Sequence, residues 1–368
     1  MSADISSGKV PERILIVLLG SIGDVVRALP LVGRIREAWP TTYIAWAIEP
    51  KSSPILEGHP WIDELIVYDR RHAPWSFLPF LRSVRRGRFD LVIDLQRHLK
   101  SGIISRVTGA KDRLGFAAEN VKEGNDRFST RRITPQPRMR LKLTQYQAFG
   151  DLLELPEAPI RFGLEPSQEV CDSVAKVIGG APRPRLGVIL GSSWPSRIYD
   201  PAAVASVIRQ AAEPSGGGLF PILIGGPDEA PIAEAVIREL GDAAVLNLAG
   251  RTRLNELPAI FTECDVAFGP DSGPMHIAAA VGCPIVSLWG ATAAERSAPW
   301  GFAQYAITGQ IPCTPCYLRR CPIGNECMRR ITPESIAAAV RQALAEYRGK
   351  ATGGSGTTDP VAAAGGLA

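Results

Sequence analysis

The sequence predicts an α/β protein of two domains, each built on a parallel sheet carrying helices. Three observations predict it. At 368 residues the chain exceeds the size at which one hydrophobic core keeps growing. Apolar runs of strand length alternate with segments of helical period, the grammar of βαβ units. A polar, Pro-rich interval near 154–185 separates two such series, each long enough for a sheet of its own. Two Rossmann-like domains facing each other across a cleft is the natural construction.

The elements follow in order. Strands are expected at 13–19, 43–48, 64–68 and 89–95, with an amphipathic helix at 25–39 between the first two. The second series has strands at 186–190, 219–224, 266–268 and 285–289, and a closing helix at 333–347. The uncharged stretch 277–294 is long enough for a membrane span, but Gly282-Cys283-Pro284 interrupts it and favours helix, turn and strand. The domain plan is a disordered start (1–12), a first domain (13–160), a linker (161–184), a second domain (185–332), a C-terminal helix (333–350) and a tail (351–368) too poor in apolar bulk to order itself. The start lacks a secretory pattern, so cytoplasmic residence is expected.

Composition is globular, with 45% hydrophobic and 21% charged residues. The net charge of +4 conceals an asymmetry. Residues 1–150 carry 24 Lys and Arg against 15 Asp and Glu, and sixteen of those cations lie between positions 82 and 142. The first half is therefore suited to an anionic partner, and the stretch can also touch anionic lipid headgroups.

Four loops beyond strand ends carry candidate chemistry. Gly20-Ser21-Ile22-Gly23-Asp24 opens the first helix and lacks the Gly-x-Gly-x-x-Gly spacing of a dinucleotide fingerprint. Asp24 either projects into a cleft or complements the helix dipole. Gly191-Ser192-Ser193-Trp194-Pro195-Ser196-Arg197 offers hydroxyls and a forked guanidinium suited to a diphosphate. In Gly225-Gly226-Pro227-Asp228-Glu229 the carboxylate can accept ribose hydroxyls or cap the next helix. Asp271-Ser272-Gly273-Pro274-Met275-His276 places N–H groups and a hydroxyl at a helix start, a diphosphate cradle; Asp271 and Ser272 read equally as N-cap residues and His276 as a packed histidine.

In this order the loops resemble the glycosyltransferase family that includes the ADP-heptose:lipopolysaccharide heptosyltransferases. The resemblance spans about residues 12–345. It rests on Ser21-Ile22-Gly23-Asp24 with Ala28-Leu29-Pro30, on Arg113-Leu114-Gly115-Phe116, and on Asp271-Ser272-Gly273-Pro274-Met275-His276. It implies a GT-B fold, a nucleotide-diphosphate sugar donor in the second domain, a glycolipid acceptor in the first, and inversion without a catalytic metal. Asp24 inherits the role of base, with Ser21 and Gly23 in its acceptor loop. Ser192, Ser193 and Arg197 inherit the phosphate loop, Glu229 the ribose, and Asp271, Ser272 and Gly273, with His276 beside them, the donor diphosphate. Two positions depart from the family: Arg197-Ile198-Tyr199 stands where Lys and Trp are common, and Pro274 replaces the usual Leu. The anionic acceptor fits the basic stretch 82–142, and the implied workplace is the cytoplasm, with peripheral contact to the inner membrane; no nucleic-acid partner is expected. Competing readings are a transferase of the same fold using another sugar or acceptor, such as O-antigen or protein, and a non-catalytic nucleotide-sugar binding protein.

Seven cysteines occur, four of them as Cys313-x2-Cys316-x4-Cys321-x5-Cys327. That spacing suits structural zinc or rubredoxin-like iron, with free thiols or a disulfide pair as alternatives. Four thiolates would leave no open coordination position, so the site would not be catalytic.

Overall fold

A computed structural model describes residues 10–72, 75–212 and 218–352. The chain divides into two compact units, Met1–Gly163 and Leu164–Ala368.

The first unit contains β1 (Arg13–Val17), β2 (Tyr43–Ile48), β3 (Glu64–Val67), β4 (Leu91–Asp94), β5 (Asp112–Gly115) and β6 (Arg131–Arg132), all parallel, in the order β3-β2-β1-β4-β5-β6. The apolar residues of β1, Ile14 to Val17, are fully buried, as expected of a strand covered on both faces. The second unit contains β7 (Arg185–Ile189), β8 (Phe220–Ile224), β9 (Leu246–Asn247), β10 (Val266–Pro270), β11 (Ile285–Trp289) and β12 (Ala306–Thr308), parallel in the order β12-β11-β10-β7-β8-β9. Both units thus share one topology.

That topology dictates where ligands go. The strand order reverses once in each sheet, between β1 and β4 and between β7 and β10, and chain departing on opposite sides opens a crevice at the carboxyl ends there. The loop after β1 carries Asp24, the loop after β7 carries Arg197, and the loop after β10 carries Ser272. The residues singled out from sequence therefore occupy the two switch points.

The helix expected at 25–39 is Ile22–Ala38, with Val25, Val26, Leu29 and Val32 buried at helical spacing. The closing helix runs Pro333–Thr352 and seats Ile336, Ala337, Val340 and Ala343 without exposure. The uncharged stretch 277–294 divides into the end of helix Gly273–Ala280, a turn in which Gly282 takes φ +81°, and β11. Among the described residues no helix is long and apolar enough to cross a membrane.

Some elements differ from expectation. β5, β6, β9 and β12 are two to four residues long and carry too little apolar pattern to signal themselves. The supposed linker 161–184 contains the helix Gln168–Ile178, capped by the Ser167 hydroxyl accepting from Val170 N–H. Of the termini expected to be disordered, 1–9 and 353–368 lie outside the described residues, while Pro11 is buried and its carbonyl accepts from Thr42 Oγ1.

Candidate active site

Asp24 sits in the first turn of helix Ile22–Ala38, whose N-cap is Ser21; Gly23 beside it is buried. Its Oδ1 accepts from Arg27 Nη2 and from Lys142 Nζ, each at 2.7 Å, and from Tyr146 Oη at 3.4 Å. Its Oδ2 accepts from Ser21 Oγ at 3.3 Å. Burial works against its charge, but Lys142 and Arg27 outweigh burial and hold the carboxyl well below the usual carboxylate range. The side chain keeps 18% of its surface open. The result is a permanently ionised, partly accessible carboxylate.

Lys142 and Tyr146 stand one turn apart on helix Lys142–Leu152, which packs along helix Ile22–Ala38. β5 leads directly into Phe116, whose ring lies edge-on to Phe149 at 4.9 Å and carries the Arg97 guanidinium 3.7 Å above its centre. The Arg113-Leu114-Gly115-Phe116 segment thus builds an aromatic shelf for a cation beside the same helix. Behind it, Asp94 at the end of β4 is buried, and burial raises its carboxyl even though Asn125 hydrogen-bonds it at 2.8 Å.

In the second unit Asp271, at the exit of β10, is buried and paired. Its carboxylate meets Arg197 Nη1 at 2.9 Å and accepts from Thr292 Oγ1 at 2.6 Å, while its carbonyl accepts from Ser192 Oγ at 2.8 Å. Arg197 also lies 4.0 Å over the Trp194 ring. The loops after β7 and β10 are therefore tied together around one ion pair. Ser193 is exposed. Ser272 is the N-cap of helix Gly273–Ala280 in extended conformation, and its buried Oγ has no hydrogen-bond partner. Gly273 opens that helix, Pro274 supplies no N–H, and His276 is buried within it. An orphaned hydroxyl beside first-turn N–H groups is a site for an anion.

Glu229 lies against Gly191. A Cβ added at Gly191 would fall 2.2 Å from Glu229 Cγ, so only glycine fits there. Glu229 Oε2 accepts from Gly226 N–H at 2.7 Å, a capping contact that occupies one of its two carboxylate oxygens.

The family model for glycosyltransferase family 9 (heptosyltransferase) matches residues 77–326, more than half of the chain. The chain belongs to this family. This heptosyltransferase-family chain is 29% identical over 297 residues to the lipopolysaccharide core heptosyltransferase OpsX of Haemophilus influenzae, covering 79% of the chain and 83% of that protein. Among solved structures it is similar to a glycosyl transferase family 9 protein of Veillonella parvula (TM-score 0.76, 22% identity, 91% and 97% coverage). It is also similar to E. coli heptosyltransferase WaaC with ADP (TM-score 0.66, 21% identity, 92% and 99% coverage). The fold of this family 9 member is α/β and GT-B-like.

Besides Arg27, three contributors to the surroundings of the candidate residues escape sequence reading. Arg27 stands at i+3 from Asp24, a legible helical pairing. Lys142, 118 positions from Asp24, and Thr292, 21 from Asp271, give no local signal. The third is the loop before the last helix, which braces the loop after β7. Ser196 Oγ donates to Leu318 O at 2.7 Å, Ser196 N–H to Arg319 O at 3.3 Å, and Asn325 Nδ2 to Pro195 O at 2.9 Å. Removing both side-chain bonds in S196A/N325A should raise the donor KM about thirtyfold, at about 1 kcal/mol per bond, with the acceptor KM unchanged. Unaltered donor KM in steady-state assays would refute the brace.

The four clustered cysteines lie in that bracing loop, and all seven cysteines are free thiols. Cys327 is buried and Cys313 exposed; burial first, then the nearby Cys321, Cys316 and Cys313 thiols, push the Cys327 thiol up. The tetrahedral zinc or iron site suggested by the spacing is not assembled: among the described residues no three His, Cys, Asp or Glu side chains are grouped to hold a metal. Cys327 is committed to packing instead, its Sγ 2.6 Å from where a Cβ on Gly290 would stand.

Proposed function

We propose that the chain transfers heptose from ADP-heptose to an inner-core lipopolysaccharide acceptor on the cytoplasmic face of the inner membrane, inverting the anomeric carbon without a catalytic metal. The observations that carry this reading are the ionised Asp24 at the switch point of the first unit and, separately, an anion cradle at the switch point of the second. The relationship to OpsX, a lipopolysaccharide core heptosyltransferase, supports the sugar and acceptor class.

Asp24 takes the proton of the acceptor hydroxyl as that oxygen attacks the anomeric carbon from the face opposite the diphosphate. Oδ2, bearing the long Ser21 bond, is the oxygen suited to this. The leaving diphosphate needs positive charge and N–H groups rather than a proton. Ser272 Oγ and the start of helix Gly273–Ala280 supply donors, and Arg197, fixed by Asp271 and Trp194, presents another edge of its five-donor fork. Asp271 therefore orients Arg197 rather than touching phosphate, and Glu229 keeps one oxygen for the ribose.

A carboxylate held strongly ionised is a weak base, and Lys142 resolves the conflict. An acceptor phosphate or carboxylate competes for the Lys142 ammonium, and as that ion pair loosens Asp24 gains basicity only when the acceptor is in place. Lys142→Met should therefore shift the acid limb of the kcat/KM profile to higher pH by about one to three units, because removing a cation raises the carboxyl. A merely structural lysine would leave that limb where it was.

The overall reading is tested by incubating the protein with ADP-heptose or UDP-hexoses and a lipid A-core acceptor while following nucleotide release. Acceptor-dependent ADP release is expected. Release from a UDP-hexose alone points to another sugar, and release from no donor with any acceptor points to a non-catalytic binding protein; either result overturns the proposal.

A further inference from the structure

We propose that the outer face of helix Phe77–Arg86, together with Trp75, docks on an anionic lipid bilayer. The inner face is accounted for: Phe80 and Val84 are buried with Leu15, Val17 and Phe89, and Phe77 and Leu81 pack partly against them. The outer face carries Leu78, 61% exposed, and just before the helix stands Trp75, 85% exposed. These are the two most exposed large hydrophobic side chains among the described residues.

Cations surround them. Arg82, Arg85, Arg86 and Arg88 are all exposed, and the sequence has no Asp or Glu from 70 to 89 or from 95 to 111, the segments forming this helix and its neighbour Leu99–Val107. Between the two helices lies a shallow depression of about 340 Å³ with Leu78, Leu81 and Val107 as apolar lining and Arg82, Arg85 and Arg86 at its sides. An aromatic and aliphatic tip beside a carboxylate-free arginine face has the two-sided chemistry of a lipid interface: apolar groups enter the acyl boundary while guanidinium groups meet headgroup phosphates. A protein partner would require no such joint display of tryptophan and uncompensated arginines.

The placement suits the chemistry. Helix Phe77–Arg86 follows β3, so it begins at the carboxyl rim of the sheet, the rim where Asp24 lies, and Trp75 and Leu78 occupy that end. A lipid-borne acceptor would thus be met at the edge of its own membrane. The inference rests on the reading of a lipid-anchored acceptor, but the vesicle-binding measurement that decides it uses neither donor nor acceptor.

Flotation of the full chain with phosphatidylcholine vesicles, with and without phosphatidylglycerol, should show binding to the anionic vesicles only, weakening as salt is raised. R82Q/R86Q should lower the apparent affinity about thirtyfold, from two charges near the surface. W75S/L78S should lower it at least about tenfold. W75S/L78S should also keep its melting temperature and its transfer to a water-soluble, deacylated acceptor. Absence of binding by the unaltered chain, or undiminished binding by either variant, overturns the proposal. If vesicle binding persists while transfer to every acceptor fails, the docking surface stands and the heptosyl reading falls.

Discussion

Asp24→Asn is expected to lower transfer about a thousandfold while leaving donor affinity within about twofold of the parent. The substitution keeps the shape of the side chain but removes the lone-pair charge that takes the acceptor proton. It also leaves Arg27 and Lys142, both 2.7 Å from Oδ1, without their shared counter-charge. Some loss of stability should therefore accompany the kinetic loss, and donor titration of the second unit's site separates the two. The sign with pH follows from the direction of the shift. A carboxyl lowered by folding stabilises the protein above its unfolded value near 4 and loses that contribution as pH falls through the folded value. Asp24→Asn should accordingly flatten the low-pH side of a stability curve measured by thermal melts. Near-normal turnover of the variant would remove Asp24 from the mechanism.

Arg197→Gln should produce the other large effect, a fall in kcat of about a hundredfold to a thousandfold from lost stabilisation of the leaving diphosphate. The same change strands the buried Asp271 carboxylate, a loss of about 3 kcal/mol or more of stability. The two consequences can be separated. R197Q/D271N removes both charges, so the melting temperature should largely recover while kcat stays low. Recovery of both together would make the ion pair a structural clamp with no part in leaving-group stabilisation. Arg197→Lys should fall between, since lysine keeps charge but not the fork that spans Asp271 and a phosphate.

The fold was legible because parallel strands buried on both faces are written as uninterrupted apolar runs: Tyr43–Ile48 and Ile285–Trp289 have the bounds read from sequence. The edge strands were not, since a two-residue strand such as Leu246–Asn247 is defined by its neighbour rather than by its own side chains. The candidate site divides in the same way. Asp24, Arg197 and Ser272 stand out because glycine-rich loops after strands mark ligand positions whatever the ligand. Lys142 and Thr292 became visible only through packing that brings a distant helix to Asp24 and a distant loop to Asp271. The cysteine spacing marks a metal site only if the side chains converge; among the described residues they are not so grouped, and Cys327 packs near Gly290.

The stereochemistry of the product tests the central claim most directly. With Asp24 acting as the base that deprotonates the acceptor rather than as a nucleophile, a single displacement must invert the anomeric centre. NMR of the first-formed product from ADP-heptose should show the anomeric configuration opposite to that of the donor. Retention of the donor configuration would contradict the account.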